Sequence, residues 1–90
     1  MGHESVLELD VDDRDALDRM LRGLPGFEGY DARYQLYLFR RKATGSMPDA
    51  HAKIEERALY VCDNGCGGDV IEDIRAAIAR LGINATARDL

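Results

Sequence analysis

The residues in this 90-residue chain best suited to chemistry are Cys62 and Cys66, set in the run Cys-Asp-Asn-Gly-Cys. Cys62 closes an apolar stretch with strand character, and Cys66 stands just before a helical pattern. A thiol at a helix N-terminus feels the helix dipole and ionises more readily. The three-residue spacer closes a disulfide ring if the turn brings the two Cα atoms within about 7 Å. The pair is thus a candidate for thiol redox chemistry or metal handling. As a metal site it is short of partners, because a closed zinc centre wants four ligands. The only histidine besides His3 is His51, in a stretch of uncertain structure. No serine–histidine–acid set stands out, so no catalytic residue, resident metal or cofactor is expected.

Three other groupings invite functional readings. The glycines of Asn64-Gly65-Cys66-Gly67-Gly68 lead into a helix, whose free backbone N–H groups suit an anion. Gly65, Gly67 and Gly68 are the candidate anion-binding turn, although the dinucleotide and phosphate-loop patterns both fail and Asp63 and Asp69 oppose an anion. Asp10, Asp12, Asp13 and Asp15 superficially suggest calcium. Arg14, Asp15 and Leu21 stand where that loop needs an oxygen ligand, glycine and glutamate, so helix capping explains the cluster. The third grouping is an interaction face made of Arg33, Tyr37, Phe39, Arg41 and Tyr60, where aromatic and basic side chains interleave on an open sheet.

These residues need elements to hold them. Ser5–Val11 alternates with Leu7, Leu9 and Val11 on one side, the signature of a half-buried strand. Asp12 and Asp13 then offer N-cap chemistry, Ala16 to Leu24 keep helical spacing, and Gly23 and Pro25 stop the helix. Tyr30–Lys42 alternates throughout and predicts one long strand, with Leu36 and Leu38 facing inward and Tyr37 and Phe39 outward. Residues 43–56 read as a long loop or one or two helical turns. Arg57–Cys62 reads as a buried strand. Asp69 caps a helix striped by Val70, Ile71, Ile74, Ala77, Ile78 and Leu81, and Gly82 with Ile83 ends it in Schellman fashion. Residues 83–90 alternate as a last, weaker strand. The order βαββαβ predicts a two-layer, ferredoxin-like α+β sandwich: a four-stranded antiparallel sheet with two helices on one face, as one small domain over residues 1–90. In that arrangement the second strand lies at a sheet edge and invites pairing, which favours a homodimer through this surface.

Composition bounds the rest. The net charge is −5, with −5 over residues 1–29, +2 over 30–60 and −2 over 61–90. An acidic whole argues against nucleic acid. The RNA-recognition signature is also missing from RALYVC. No apolar run suits a membrane span and no signal-peptide core follows Met1, so a cytoplasmic protein is expected. Two cysteines are too few for a disulfide scaffold.

Two local resemblances add to this. Residues 59–81 resemble the thioredoxin-like two-iron ferredoxins in having a strand ending in cysteine, a short turn, a second cysteine and then a helix. That family's second cysteine pair is absent here, so the resemblance implies no iron–sulfur cluster in a monomer. The stretch LGINATA is similar to a helix-to-strand junction of amino-acid-binding regulatory (ACT-like) modules, which implies a regulatory binding role and no particular ligand. The sequence therefore points to a small cytoplasmic binding or regulatory module, acting through a protein partner or a second copy of itself. The alternative is a thiol-dependent redox or metal-handling protein using Cys62 and Cys66.

Overall fold

The computed structural model describes residues 3–41, 45–65 and 67–89. Strand β1 (His3–Leu9) keeps the alternation read from its sequence, burying Ser5, Leu7 and Leu9. Helix α1 (Arg14–Arg22) is capped by Asp13, whose carboxylate accepts the Ala16 N–H at 3.0 Å. Asp15 in its first turn and Arg19 and Arg22 in its last turn complement the helix dipole.

The stretch expected as one strand from Tyr30 to Lys42 is broken. Strands β2 (Phe27–Asp31) and β3 (Leu36–Phe39) form a hairpin, with the chain reversing over residues 32–35. Asp31 Oδ1 accepts the Arg33 N–H at 3.0 Å, closing an Asx turn, and Gln35 adopts φ 58° to re-enter the sheet. The region left open in sequence supplies strand β4 (Ala50–Glu55), paired in a second hairpin with β5 (Ala58–Asp63). Only Glu56 and Arg57 join them, and Arg57 takes φ 52°. Helix α2 (Gly68–Arg80) has Gly67 rather than Asp69 at its N-cap, with Asp69 inside the first turn. It ends as the Schellman pattern predicts. Gly82 takes φ 77°, and the Gly82 and Ile83 N–H groups donate to the Ala79 and Ile78 carbonyls at 3.0 and 3.3 Å. Strand β6 (Ala85–Asp89) follows.

Among the described residues, six strands form one open antiparallel sheet in the order β2-β3-β4-β5-β1-β6, accompanied by the two helices in a mixed α+β fold. The four-stranded ferredoxin-like sandwich is thereby corrected. The expected strand over Tyr30–Lys42 is interrupted by a turn, and residues 50–55 of the stretch expected as a loop or helical turns form a strand, while residues 42–44 of these stretches lie outside the described residues. The sheet edges are β2 and β6, so β3 lies inside the sheet and cannot serve as the edge for dimer pairing.

The core joins Leu17 and Leu21 of α1 and Val70, Ile74, Ala77 and Ile78 of α2 to one face of the sheet. That face carries Leu7, Leu9, Leu59, Val61, Ala50, Ala52, Ile54, Tyr37 and Phe39. Phe39 is 0% exposed and Tyr37 5%, whereas Leu36 and Leu38 are half-buried on the opposite face. The expected parity is thus inverted in β3. A one-residue change of register moves every side chain of a strand to the other side, and the turn at 32–35 makes that change. Phe39→Ala is expected to destabilise the fold by about 3–5 kcal/mol. Leu38→Ala, losing only part of a half-exposed side chain, is expected to cost less than about 1.5 kcal/mol. Chemical denaturation of the two variants checks this, and the reverse order would contradict the assigned faces.

Candidate functional site

The sheet face turned away from the helices gathers polar side chains that sequence spacing does not bring together. Strand pairing lines up Glu4, Cys62 and His51 in one row across β1, β5 and β4, with Leu38 of β3 beyond them. Val6, Tyr60 and Lys53 form the next row. Asn64, just past β5, leans over the first row. Its Nδ2 donates to the Pro48 carbonyl at 3.0 Å and lies 3.3 Å from His51 Nδ1, and its Oδ1 accepts the Cys62 thiol at 3.4 Å. The Tyr60 hydroxyl donates to Glu4 Oε1 at 2.6 Å, and the His51 and Tyr60 rings lie 5.9 Å apart.

Burial disfavours the charged forms of Cys62, Tyr60 and His51. Burial pushes the Cys62 thiol up, the Glu4 and Asp63 carboxylates push the same way, and a hydrogen bond with Tyr60 only partly opposes them. Burial also raises the Tyr60 phenol and lowers His51, with Glu4 pulling His51 back. A nucleophilic cysteine needs a thiolate and a base aimed at it. Here the thiol donates to an amide oxygen and the nearby imidazole nitrogen faces the same amide. The arrangement is a satisfied polar patch on a sheet surface.

The other candidate residues fall in several places. Cys66 lies outside the described residues. Cys62 is 6% exposed and belongs to the uncovered face, apart from the helix-side core. The Gly65 and Gly67 N–H groups, expected to be free for an anion, both donate to Asp63 Oδ1, at 2.8 and 2.7 Å. Gly68 begins α2. The chain's own carboxylate therefore occupies the turn. Gly67 is required there for space: a Cβ would come 2.6 Å from the Asp49 carbonyl oxygen and 2.8 Å from Ala50 Cβ. Of the five interaction-face residues, only Tyr60 is on the uncovered face. Tyr37 and Phe39 are in the core, and Arg33 is exposed at the β2–β3 turn. Arg41 is a structural clamp, its Nε donating to the Pro25 carbonyl at 2.9 Å and its Nη2 lying 2.8 Å from Asp73 Oδ2 of α2.

Sequence reasoning missed a second cluster, on the helix side. The Tyr37 hydroxyl donates to Asp18 Oδ1 at 2.6 Å, and Arg22 Nε donates to the same oxygen at 2.9 Å. The Arg22 guanidinium lies 5.2–5.8 Å over the rings of Tyr30, Tyr37 and Phe27. The Tyr37 and Arg22 bonds hold the Asp18 carboxyl below its usual value. Asp18, Tyr30 and Tyr37 of this network line a shallow cavity of about 250 Å³ together with Arg14, Asp15, Gln35 and Ile54. The i, i+4 spacing of Asp18 and Arg22 was a usable signal, but pairing them with Tyr37 required the correct parity of β3.

Among the described residues, no three His, Cys, Asp or Glu side chains converge as metal ligands, and no helix is long and apolar enough to cross a membrane. No family model, curated protein or solved structure matches the chain.

The lowered His51 gives a testable sign. Unfolded His51 binds its proton near the usual 6.5, whereas the folded chain resists protonation until lower pH. Stability from this group is therefore present above that value and is lost as pH falls through it toward the folded value. NMR titration of the His51 ring should give a midpoint below 6.5, and His51→Gln should weaken the acid-side fall in stability. A midpoint at or above 6.5 contradicts the burial of the ring.

Proposed function

We propose that this chain is a non-catalytic binding or regulatory module whose docking surface is the uncovered face of the sheet. One observation carries the reading. Both helices pack on one side, and on the other no described segment covers the half-buried Val6, Leu36, Leu38 and Tyr60. Apolar and aromatic side chains interspersed with polar and charged ones are the usual character of a protein interface. Lys53 of β4 lies between Tyr60 of β5 and the leucines of β3, with Glu4 and the Arg40–Glu28 ion pair farther out. The partner is a protein surface of mixed apolar and charged character.

The thiol or metal reading depends on a reactive Cys62. Its burial, its raised pKa and its bond to Asn64 all work against a thiolate. The reading also needs Cys66 as a second thiol.

Leu38→Asp places a charge on the docking face without entering the core. Comparative affinity purification from the native source should recover a set of proteins with the unaltered chain that is lost with Leu38→Asp. The same set should be retained by Glu72→Lys, a change at an exposed position of α2. Identical recovery by all three chains, with the Leu38→Asp variant folded by circular dichroism, would reject the uncovered face as the docking surface.

A further inference from the structure

We infer that β6 pairs with β6 of a second copy of this chain, joining two sheets edge to edge. The two edges of the sheet differ. In β2 the register shifts between Phe27 and Gly29. Such a bulge distorts the row of free backbone groups and protects an edge from pairing. In β6 the pairing to β1 is regular along its whole length, and all its residues, Ala85–Asp89, are exposed.

The outward groups of β6 can be identified. The Asp10 N–H donates to the Asn84 carbonyl at 3.2 Å, in register with the β1–β6 ladder. Bonded pairs alternate along an antiparallel ladder. Glu8–Thr86 and Val6–Arg88 are therefore the bonded pairs, which turns the N–H and C=O groups of Ala85, Ala87 and Asp89 outward. The bond from the Leu9 N–H to the Arg57 carbonyl, at 2.9 Å, fits the same alternation, because it directs the odd-numbered residues of β1 toward β5.

The strand is complementary to itself. An antiparallel pair centred on Ala87 sets Ala87 against Ala87, Thr86 against Arg88, and Ala85 against Asp89 of the second copy. No like charges then stand opposite each other. Ala85, together with Leu7, Ile78, Ile83 and Arg75, also lines a cleft of about 260 Å³ between α2 and the sheet edge. The register delivers Asp89 of the second copy beside this cleft; its Oδ1 is held in its own chain by Ser5 Oγ at 3.1 Å and His3 Nε2 at 3.2 Å, and Arg75 adds a positive charge on the cleft side. Small alanines on this face let the two α2 helices approach. The resulting interface is two-fold symmetric, as self-pairing requires. It lies along the sheet edge and is separate from the docking face proposed above.

Sedimentation equilibrium of the full chain should show the mass rising with concentration from 10.0 kDa toward twice that value. Ala87→Lys sets like charges against each other at the two-fold axis and should weaken association about tenfold or more. Ala87→Glu should do the same, and an equal mixture of the two should associate again. Ala87→Pro removes an outward N–H that β1 does not use and should abolish pairing while leaving the circular dichroism spectrum unchanged. A mass fixed at 10.0 kDa at the highest soluble concentration overturns the inference. So does a dimer indifferent to charge at position 87. A dimer lost with Leu38→Asp but kept with Ala87→Lys would assign self-association to the uncovered face, overturning the β6 pairing while leaving the proposed function standing.

Discussion

The parity of β3 against β4 is the constraint on which the rest depends. With Phe39 opposite Ala50 and Leu38 opposite His51, large aromatic side chains enter the space under the helices and medium aliphatic ones stay outside. Three local features hold this parity. Gln35 and Arg57 take left-handed backbone angles that end their turns at fixed residues. The buried Asp49 carboxylate accepts the Arg41 N–H at 3.0 Å, just past β3. The Asp49 carbonyl accepts the Asn64 N–H at 2.9 Å, tying the start of β4 to the end of β5. A slip by one residue would break these bonds and carry Leu38 into a space filled by Phe39.

The two sides of the sheet then acquire different chemistry. On the helix side, the Tyr37 hydroxyl is too polar to be buried without a partner, and Asp18 supplies one. Arg22 neutralises that carboxylate and lies over the aromatic rings, so this end of the core is closed by a network. On the far side, Glu4, Tyr60, His51, Asn64 and Cys62 satisfy one another in pairs. These pairs sit among Val6, Leu36 and Leu38, and Glu8, Lys53 and Arg88 add charge of both signs to the same side.

What the sequence made legible follows the strength of each local signal. Both helices were readable because apolar stripes, an aspartate cap and a Gly82 terminus act within one or two turns of chain. Strands β1 and β5 were readable from alternation and apolar content. The hairpin inside Tyr30–Lys42 was hidden because Gln35 is not a turn-forming type, and because the alternation continues through Ala32 and Tyr34 although both lie in the turn. β4 was hidden because Ala50 and Ala52 carry little strand preference, yet they fit the core where larger side chains would clash. The candidate site suffered in turn. Tyr37 and Phe39 fall on the outer face of a continuous strand and move to the core once the turn at 32–35 changes the register. The glycine turn has the composition of an anion site, but its Gly65 and Gly67 donors are taken by Asp63.

The most direct test is a set of cross-strand and side-chain nuclear Overhauser contacts in solution. Contacts are expected from Leu38 to His51 and from His51 to Cys62, with the Phe39 ring meeting Phe27, whose ring centroid lies 5.8 Å away. Contacts from Leu38 to Leu21 or Ile74, with Phe39 in solvent, would show the opposite face of β3 turned inward and would overturn its assigned parity.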